Sequence, residues 1–417
     1  MKQNILSNID EPKNLEKLYR QNKAVFEKSM NELHAEGIAH ASIQFWHERL
    51  HYAEEEISWG GKKEIVFVGC AALIAGLIAR IPFLFNFSHP HENFFYVHNM
   101  GLLVFPMLIA YFAWKQELRF KQLIFPISVV LLIAIYTNLL PDNFDSDTII
   151  LACIHLPLLL WTLLSYVFNG ASFRYTQRSI QFLQFNGDFI IMSGLILLAF
   201  MLFSGLTIAL FGFLKFNIED YYFKYVAIWG FAAIPMVATY LVQNNPALVN
   251  KISPVIAKIF TPIVLITLAI FLGSMIAARK NLYQDRDFLM IFNGLLIGVM
   301  AIILFSISET SKKTFSKTSI KILFALSVLT ILSNGLALSA IIFRLAEYGM
   351  SPNRIAVLGG NVFIFLHLMI VSRKLLQNLT GKASMEGTNK AMASFIPYYA
   401  LWTAFVGFVL PFVFSFK

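Results

Sequence analysis

The sequence is poor in charged residues: Asp, Glu, Lys and Arg make up only 14% of its 417 residues, while 57% are hydrophobic. Soluble domains carry about 25% charged residues, so this composition excludes an ordinary water-soluble protein. Apolar stretches of about 20 residues, enough for one helix to cross the hydrocarbon core of a bilayer, recur along most of the chain. In lipid, a helix satisfies its backbone N–H and C=O groups within the segment. The composition therefore predicts an all-α polytopic transmembrane helical bundle.

Cysteine and a secretory leader are also lacking. The two cysteines, Cys70 and Cys153, lie in apolar segments at different predicted depths of the bilayer, so we expect no disulfide and no cysteine metal site. The first 60 residues contain no apolar core of the kind found in signal peptides, and no cleavage before the first apolar segment is expected. The net charge of +9 forms no single basic patch. Membrane lipids are therefore the expected partners, and nucleic acid is not.

Composition divides the chain into two predicted domains, a polar one at 1–60 and a transmembrane one at 61–417. Within the first, residues 13–59 show the spacing of two amphipathic helices separated by a turn at Gly37. This pattern predicts a short cytoplasmic helical hairpin. A cytoplasmic partner that docks on the hairpin would be favoured if its apolar stripe were left uncovered.

The second domain contains about eleven predicted spans. They cover residues 64–86, 97–114, 122–140, 148–168, 189–214, 222–243, 259–277, 287–307, 319–347, 354–372 and 395–415.

The distribution of Lys and Arg between the loops predicts the orientation of these spans. Basic residues concentrate in the segments that are cytoplasmic if the amino terminus is inside, which with an odd number of spans puts the carboxyl terminus in the periplasm. The loop with Arg279, Lys280 and Arg286 disagrees with this bias, and a miscounted span near it is the main alternative. We expect a multi-pass protein of a bacterial inner, or cytoplasmic, membrane.

The segment His47-Glu48-Arg49-Leu50-His51 matches the H-E-x-x-H pattern, in which two imidazoles one helical turn apart bind zinc and the glutamate acts as general base. A catalytic site also needs a third ligand and a concave pocket. The polar hairpin offers neither, so we predict that His47 and His51 bind no zinc and form an ordinary helix face.

A second group of metal-ligand residue types, His89, His91 and Glu92, lies in the predicted outer loop between the first two spans, followed by His98. The spacing is not diagnostic of a metal site. A polar interfacial loop is the simpler interpretation, and the sequence identifies no cofactor.

Ionisable residues within predicted spans are informative, because placing them in lipid costs several kcal/mol unless they face protein, water or a partner. Arg80, His98 and His155 all fall in the outer third of their spans. They could line a polar cavity open to the outside that receives an anionic group or a proton. Alternatively, Arg80 extends to the interface and the histidines bond to neighbouring helices. His367 lies alone in the tenth span and is predicted to be a packed histidine.

The segment 344–354 predicts a tight outer turn between two spans. Gly349 suits the left-handed residue that ends one helix, and Ser351 with Pro352 suits the start of the next. Arg344 and Glu347, three residues apart, are expected to pair on one helix face, with Arg354 close by. The group is either a structural clamp or an anion-binding mouth.

In this turn, Arg344-Leu-Ala-Glu-Tyr-Gly-Met-Ser-Pro-Asn-Arg354, the sequence resembles a family of bacterial polytopic membrane proteins known as domain of unknown function 4153. The resemblance covers most of the chain from about residue 64 onward. It implies a multi-spanning bacterial membrane protein without an assigned activity, so it carries over no catalytic residue.

Three classes of function remain open from the sequence. The leading one is a transporter-like, non-catalytic membrane protein, which would show broken helices near 230–235 or 359–361. The second is a membrane-interface enzyme, a zinc protease or a transferase, whose residues would have to converge on one pocket. The third is a sensory or scaffold protein that acts through the hairpin.

Overall fold

The computed structural model describes residues 1–38, 40–51, 60–143, 145–174, 177–213, 216–245, 252–277, 283, 286–310 and 317–417. All regular structure in these ranges is helical. The chain divides into two units, Met1–Trp59 and Gly60–Lys417.

The part of the first unit that the structure describes contains four helices around its own apolar core. The helices are α1 (Lys2–Leu6), α2 (Pro12–Gln21), α3 (Lys23–Ala35) and α4 (Ala41–His51). The core consists of Ile5, Leu15, Phe26, Met30, Leu33, Ile43 and Trp46. The apolar faces predicted for the hairpin thus bury one another.

The first predicted amphipathic helix is divided at Asn22, which the sequence pattern did not indicate. Asn22 has an extended backbone (φ −155°), and its side chain accepts a hydrogen bond from the Val25 N–H at 3.2 Å. An asparagine in this role caps the next helix and ends the previous one. The turn at Gly37 is confirmed, because this glycine has a φ of +71°.

In its described residues, the second unit contains α5 (Lys62–Ala79), a short α6 (Ile81–Leu84) and ten longer helices. The ten are α7 (His89–Lys115), α8 (Phe120–Leu139), α9 (Asp147–Phe168), α10 (Gln177–Phe213), α11 (Glu219–Asn244), α12 (Ile252–Ala277), α13 (Arg286–Thr310), α14 (Lys317–Tyr348), α15 (Pro352–Leu379) and α16 (Met385–Val413).

Helices α7 to α16 are the ten in the described part of the chain that are long and apolar enough to cross a membrane, which confirms the all-α polytopic fold. The predicted count of about eleven included a first span at 64–86. That segment forms α5, whose first turn carries Lys62, Lys63 and Glu64 and which ends at Ala79. These charges leave α5 a shorter apolar stretch than the other ten. It still packs against α7 and α11, and its 18 residues extend about 27 Å at 1.5 Å per residue.

One other sequence-based expectation about helix boundaries is wrong, and the helix breaks that a transporter would show are not found at the two places named for them. His89, His91 and Glu92 belong to the first turns of α7 and not to a loop, because Pro90 is tolerated where the helix N–H groups have no partner. The segments 230–235 and 359–361 are continuous helix and not breaks. The irregularities in α11 and α16 lie elsewhere, at the π-helical turns Phe223–Ala227 and Phe405–Val409.

Contacts between helix termini define two ends of the second unit. At the Glu64 end, the start of α5 meets the last residues of α7 and α11. At the Arg80 end, the Tyr96 hydroxyl near the start of α7 donates to the Ala79 carbonyl at 2.8 Å, and Ser146 donates to the Phe416 carbonyl at 2.8 Å. Consecutive long helices therefore alternate in direction, as expected for membrane passes.

Candidate functional site

Arg80 lies at the joint between α5 and α6, where the chain leaves the long helix. The hydrogen bond from Tyr96 to the Ala79 carbonyl fixes this joint. The guanidinium carbon of Arg80 is 4.8 Å from the centre of the Tyr225 ring and 6.0 Å from that of Trp229. Arg80 is therefore held against the aromatic side chains of α11.

The π-helical turn of α11 places those aromatic residues. Residues 223–227 take one extra residue per turn, which changes the faces presented by Lys224 and Tyr225 relative to Trp229. Gly76 on α5 allows the close approach, because a Cβ at this position would overlap the Trp229 ring. Such π-helical turns occur frequently at functional sites.

A cavity of about 460 Å³ lies next to this joint. Its lining is Phe83, Glu92, Tyr96, Asp220, Phe223, Lys224, Ala227, Ile228 and Phe231. The Lys224 ammonium is 5.3 Å from the centre of the Phe83 ring and 5.8 Å from that of Tyr225, so Tyr225 is a neighbour of both Lys224 and Arg80. The cavity thus combines apolar walls with a few charged groups, as ligand pockets do.

The two cations of this region are not neutralised within the described part of the chain. Neither Arg80 nor Lys224 forms an ion pair with a described carboxylate, and the buried Nε of Arg80 has no hydrogen-bond acceptor there. Aromatic faces compensate a cation by about 0.5–2 kcal/mol each, less than the cost of placing an arginine in lipid. The geometry is therefore suited to receiving an anionic group.

The two predicted histidines of the spans lie elsewhere and bond to their own helices. His98 is buried, stacks on Phe94 with ring centres 3.9 Å apart, and its Nδ1 is 2.8 Å from the Phe94 carbonyl oxygen. His155 makes the same type of contact with the Leu151 carbonyl at 2.8 Å. Neither lines the cavity beside Arg80. Both contacts run within one helix, whereas the structural alternative raised for these histidines was a bond to a neighbouring helix.

The histidines at the start of α7 also have local partners. The Nδ1 atoms of His91 and His89 lie 2.6 Å from the Ser88 hydroxyl and 3.3 Å from the Asn93 amide, whereas Glu92 lines the cavity. In the described ranges, no group of three His, Cys, Asp or Glu side chains could hold a metal ion.

In the first unit, the His47 ring stacks on that of His34, with ring centres 3.7 Å apart. His51 is the last residue of α4, and its side chain lies outside the described residues. The prediction that His47 and His51 bind no zinc stays a prediction.

The turn between α14 and α15 is confirmed in its backbone but not in its predicted ion pair. Gly349 has a φ of +74°, and Ser351 accepts a hydrogen bond from the Arg354 N–H at 3.4 Å. Nη1 of Arg354 donates to the carbonyls of Tyr348 and Gly349 at 2.9 and 2.7 Å. This cation therefore lies at the negative end of α14, which compensates for its unfavourable place in the first turn of α15.

Arg344 and Glu347 do not pair. The Arg344 guanidinium lies 5.5 Å from the centre of the Tyr348 ring, while Glu347 is exposed. The aromatic ring of Tyr348, one turn along the helix, is thus a neighbour of Arg344, and Glu347 is not its partner. None of the three residues contributes to the cavity beside Arg80.

A polar cluster at the Glu64 end was not predicted. The carboxylate of Glu64 is buried, and its Oε1 accepts from the Tyr111 hydroxyl at 2.6 Å, the Asn244 amide at 3.0 Å and the Lys115 ammonium at 3.2 Å. Tyr111 and Lys115, four residues apart on one helix face, were a detectable signal. Asn244 lies 180 residues from Glu64 and could be recognised only in three dimensions.

Comparison with known proteins gives no relative: no family model, no curated protein and no solved structure matches this chain.

Proposed function

We propose that this multi-pass membrane protein is transporter-like and binds a small solute with an anionic group at Arg80. The single observation that carries the proposal is the half-buried Arg80 guanidinium, which faces two aromatic rings and has no described carboxylate partner. An arginine in this position requires a headgroup, water or a bound anion. The adjoining 460 Å³ cavity, whose lining includes Tyr96 and Lys224 but not Arg80 itself, provides room for such a solute.

The charges around the cavity narrow the class of solute. Lys224 adds a second cation, while Glu92 and Asp220 place two carboxylates in the same lining. Together these groups favour a solute that carries an ammonium as well as an anionic group over a simple dianion. An amino acid is the smallest member of this class.

The proposed location is the inner membrane of a bacterium, with the Glu64 end in the cytoplasm and the Arg80 end outside. The support is the concentration of Lys and Arg in the segments assigned to the cytoplasm. The resemblance of residues 344–354 to domain of unknown function 4153 agrees with a bacterial membrane protein but supplies no activity.

The helix breaks that a transporter would show near 230–235 or 359–361 are not found, since both segments are continuous helix, but the two other classes of function have less support. The enzyme class needed the predicted site residues to converge on one pocket, and Glu92 is the one of them in the described lining of this cavity, which lacks Arg80, His98, His155, Arg344 and Arg354. The scaffold class would gain from an uncovered apolar stripe in the first unit, whereas the core residues there pack against one another. Solute binding at Arg80 therefore remains the proposal.

Isothermal titration of the detergent-purified protein tests this proposal, with glycine, inorganic phosphate and choline as probes. We expect glycine to bind, choline to fail, and Arg80→Gln to weaken glycine binding about tenfold or more, because a charged hydrogen bond is lost. Arg80→Lys should retain part of the affinity.

Arg354→Gln is the matched control, since it removes an arginine from the same end that already bonds to backbone carbonyls. It should bind glycine like the wild type. Wild-type protein that binds neither glycine nor phosphate, or an Arg80→Gln variant with unchanged affinity, would refute the site. Proteoliposomes that bind glycine but take up none of it would refute transport while keeping the site.

A further inference from the structure

A second and larger cavity lies at the opposite end of the unit, between α7 and α8. Its volume is about 940 Å³, at the upper limit of the roughly 300–1,000 Å³ typical of ligand pockets. The lining is Lys63, Glu64, Pro106, Ile109, Ala110, Ala113, Trp114, Lys115, Glu117, Leu118, Leu123, Pro126, Ile127, Val130 and Leu131. We refer to this cavity as the α7–α8 cleft.

The cleft is amphipathic along its length. Its walls are apolar side chains from the facing sides of α7 and α8, and all four charged residues are near the ends of helices at the Glu64 end. Ile127 and Leu131, on the wall from α8, are about half exposed, at 49% and 56%. On a membrane-spanning helix such side chains face the hydrocarbon of the bilayer, so the cleft is accessible to lipid.

The four charged residues are not equivalent. Glu64 and Lys115 pair at 3.2 Å, and Tyr111 and Asn244 complete the bonding of the same carboxylate oxygen. Lys63 and Glu117 form no ion pair with a described residue. The mouth of the cleft therefore presents one cation and one anion that are available to a ligand.

The position of Glu117 is fixed by the end of α7. Its backbone is left-handed, with a φ of +50°, and the next N–H, that of Leu118, donates to the Ala113 carbonyl at 3.1 Å. This is the hydrogen bonding of a helix stop. Glu117 is exposed there, and the turn fixes the backbone position from which its side chain extends.

We infer that the α7–α8 cleft binds one zwitterionic phospholipid with a primary ammonium headgroup. The acyl chains lie along the apolar walls, Lys63 binds the phosphate, and Glu117 accepts hydrogen bonds from the ammonium. An anionic headgroup without an ammonium would leave Glu117 facing a like charge. A choline headgroup carries no N–H to donate. The charges of the mouth thus favour phosphatidylethanolamine over phosphatidylglycerol and phosphatidylcholine.

The protein is incubated with an equimolar mixture of these three lipids and then released from detergent. Native mass spectrometry measures which of the three headgroups it retains. The wild type should retain phosphatidylethanolamine in preference to the other two. Lys63→Gln should lower retention of all three, because each carries a phosphate. Glu117→Gln should lower the preference for the ethanolamine headgroup about tenfold, since a charged hydrogen bond is removed.

Controls distinguish the cleft from ordinary lipid contact. Lys121→Gln removes a lysine at the same end that does not line the cleft and should change nothing. Val130→Phe should fill the cleft and displace the lipid, whereas Leu132→Phe, on an exposed part of α8 outside the lining, should not. A thermal transition like that of the wild type shows that each variant is folded.

Three results would overturn the inference. They are equal retention of the three lipids by the wild type, unchanged retention in folded Lys63→Gln, and unchanged retention in folded Val130→Phe. Each would mean that lipid binds at the general surface only. Glycine binding at Arg80 is measured separately at the other end of the unit, so either proposal can fail without the other.

Discussion

The Glu64 cluster provides the sharpest test of how the second unit is held together. Tyr111→Phe removes only the hydroxyl that donates to Oε1 of Glu64 at 2.6 Å, in a side chain with 0% exposure. A hydrogen bond to a charged group contributes about 1.5–3 kcal/mol. We expect the variant to lose roughly 2 kcal/mol of unfolding free energy. The Lys115 bond should contribute less, because its side chain is 31% exposed and its charge is screened by solvent.

A double-mutant cycle separates this bond from general loss of packing. Glu64→Gln, combined with Tyr111→Phe, should give a coupling energy of about 1–2 kcal/mol, because both changes affect one contact. The measurement is reversible unfolding in mixed micelles of detergent and sodium dodecyl sulfate, followed by tryptophan fluorescence.

Tyr136→Phe is the matched control. The hydroxyl of Tyr136 is buried and has no hydrogen-bond partner in the described part of the chain. Its removal should therefore leave stability unchanged or raise it slightly, since an unsatisfied buried polar group is lost. If Tyr111→Phe is as neutral as Tyr136→Phe, or if the coupling energy is zero, the Glu64 carboxylate does not join these helices.

Three further outcomes are expected. Arg354→Ala should lower the thermal transition temperature in detergent, because the cation at the end of α14 contributes about 0.3–1 kcal/mol. Arg354→Lys keeps a cation and should keep most of the wild-type transition temperature. Equal transition temperatures for the two variants would contradict this role of the cation. Arg20, together with Arg49, holds the pKa of Glu16 below its usual value. The protection of α2 and α4 from hydrogen exchange should therefore decline as the pH falls through that pKa. An equal decline in Glu16→Gln would contradict the role of the Glu16 charge. With the native cysteines removed, a membrane-impermeant maleimide should label Asn143→Cys but not Lys313→Cys in intact cells; the reverse would invert the orientation.

The fold could be predicted largely because long apolar segments in lipid have to form helices. The turn at Gly349 and Ser351 was also predictable, since the left-handed glycine and the capping serine act on their nearest neighbours. The break at Asn22 was missed because the apolar spacing continues across it. The cap at Asn22 depends on one local hydrogen bond, which does not change the spacing of the apolar residues.

The candidate sites could be predicted only in part. Arg80 was recognised because a cation within a span has to be compensated, but its aromatic partners on α11 are about 145 residues away in sequence and depend on the π-helical turn. The pairing of Arg344 with Glu347 was expected from helical spacing alone. The structure instead places the Tyr348 ring against Arg344 and leaves Glu347 in solvent. Spacing specifies which residues share a face, but not which of them meet.

The single oxygen that joins α5, α7 and α11 also bears on the order in which the protein is assembled. Tyr111 and Lys115 reach the membrane with α7, whereas Asn244 follows Lys115 by 129 residues. At about 5–20 residues per second, synthesis of that stretch takes roughly 6–26 s. During this interval α5 and α7 form a pair whose carboxylate still lacks one donor. The docking of α11 supplies this donor, Asn244. Helices α8 to α10 must therefore leave uncovered the side of the α5–α7 pair on which α11 docks, until α11 arrives.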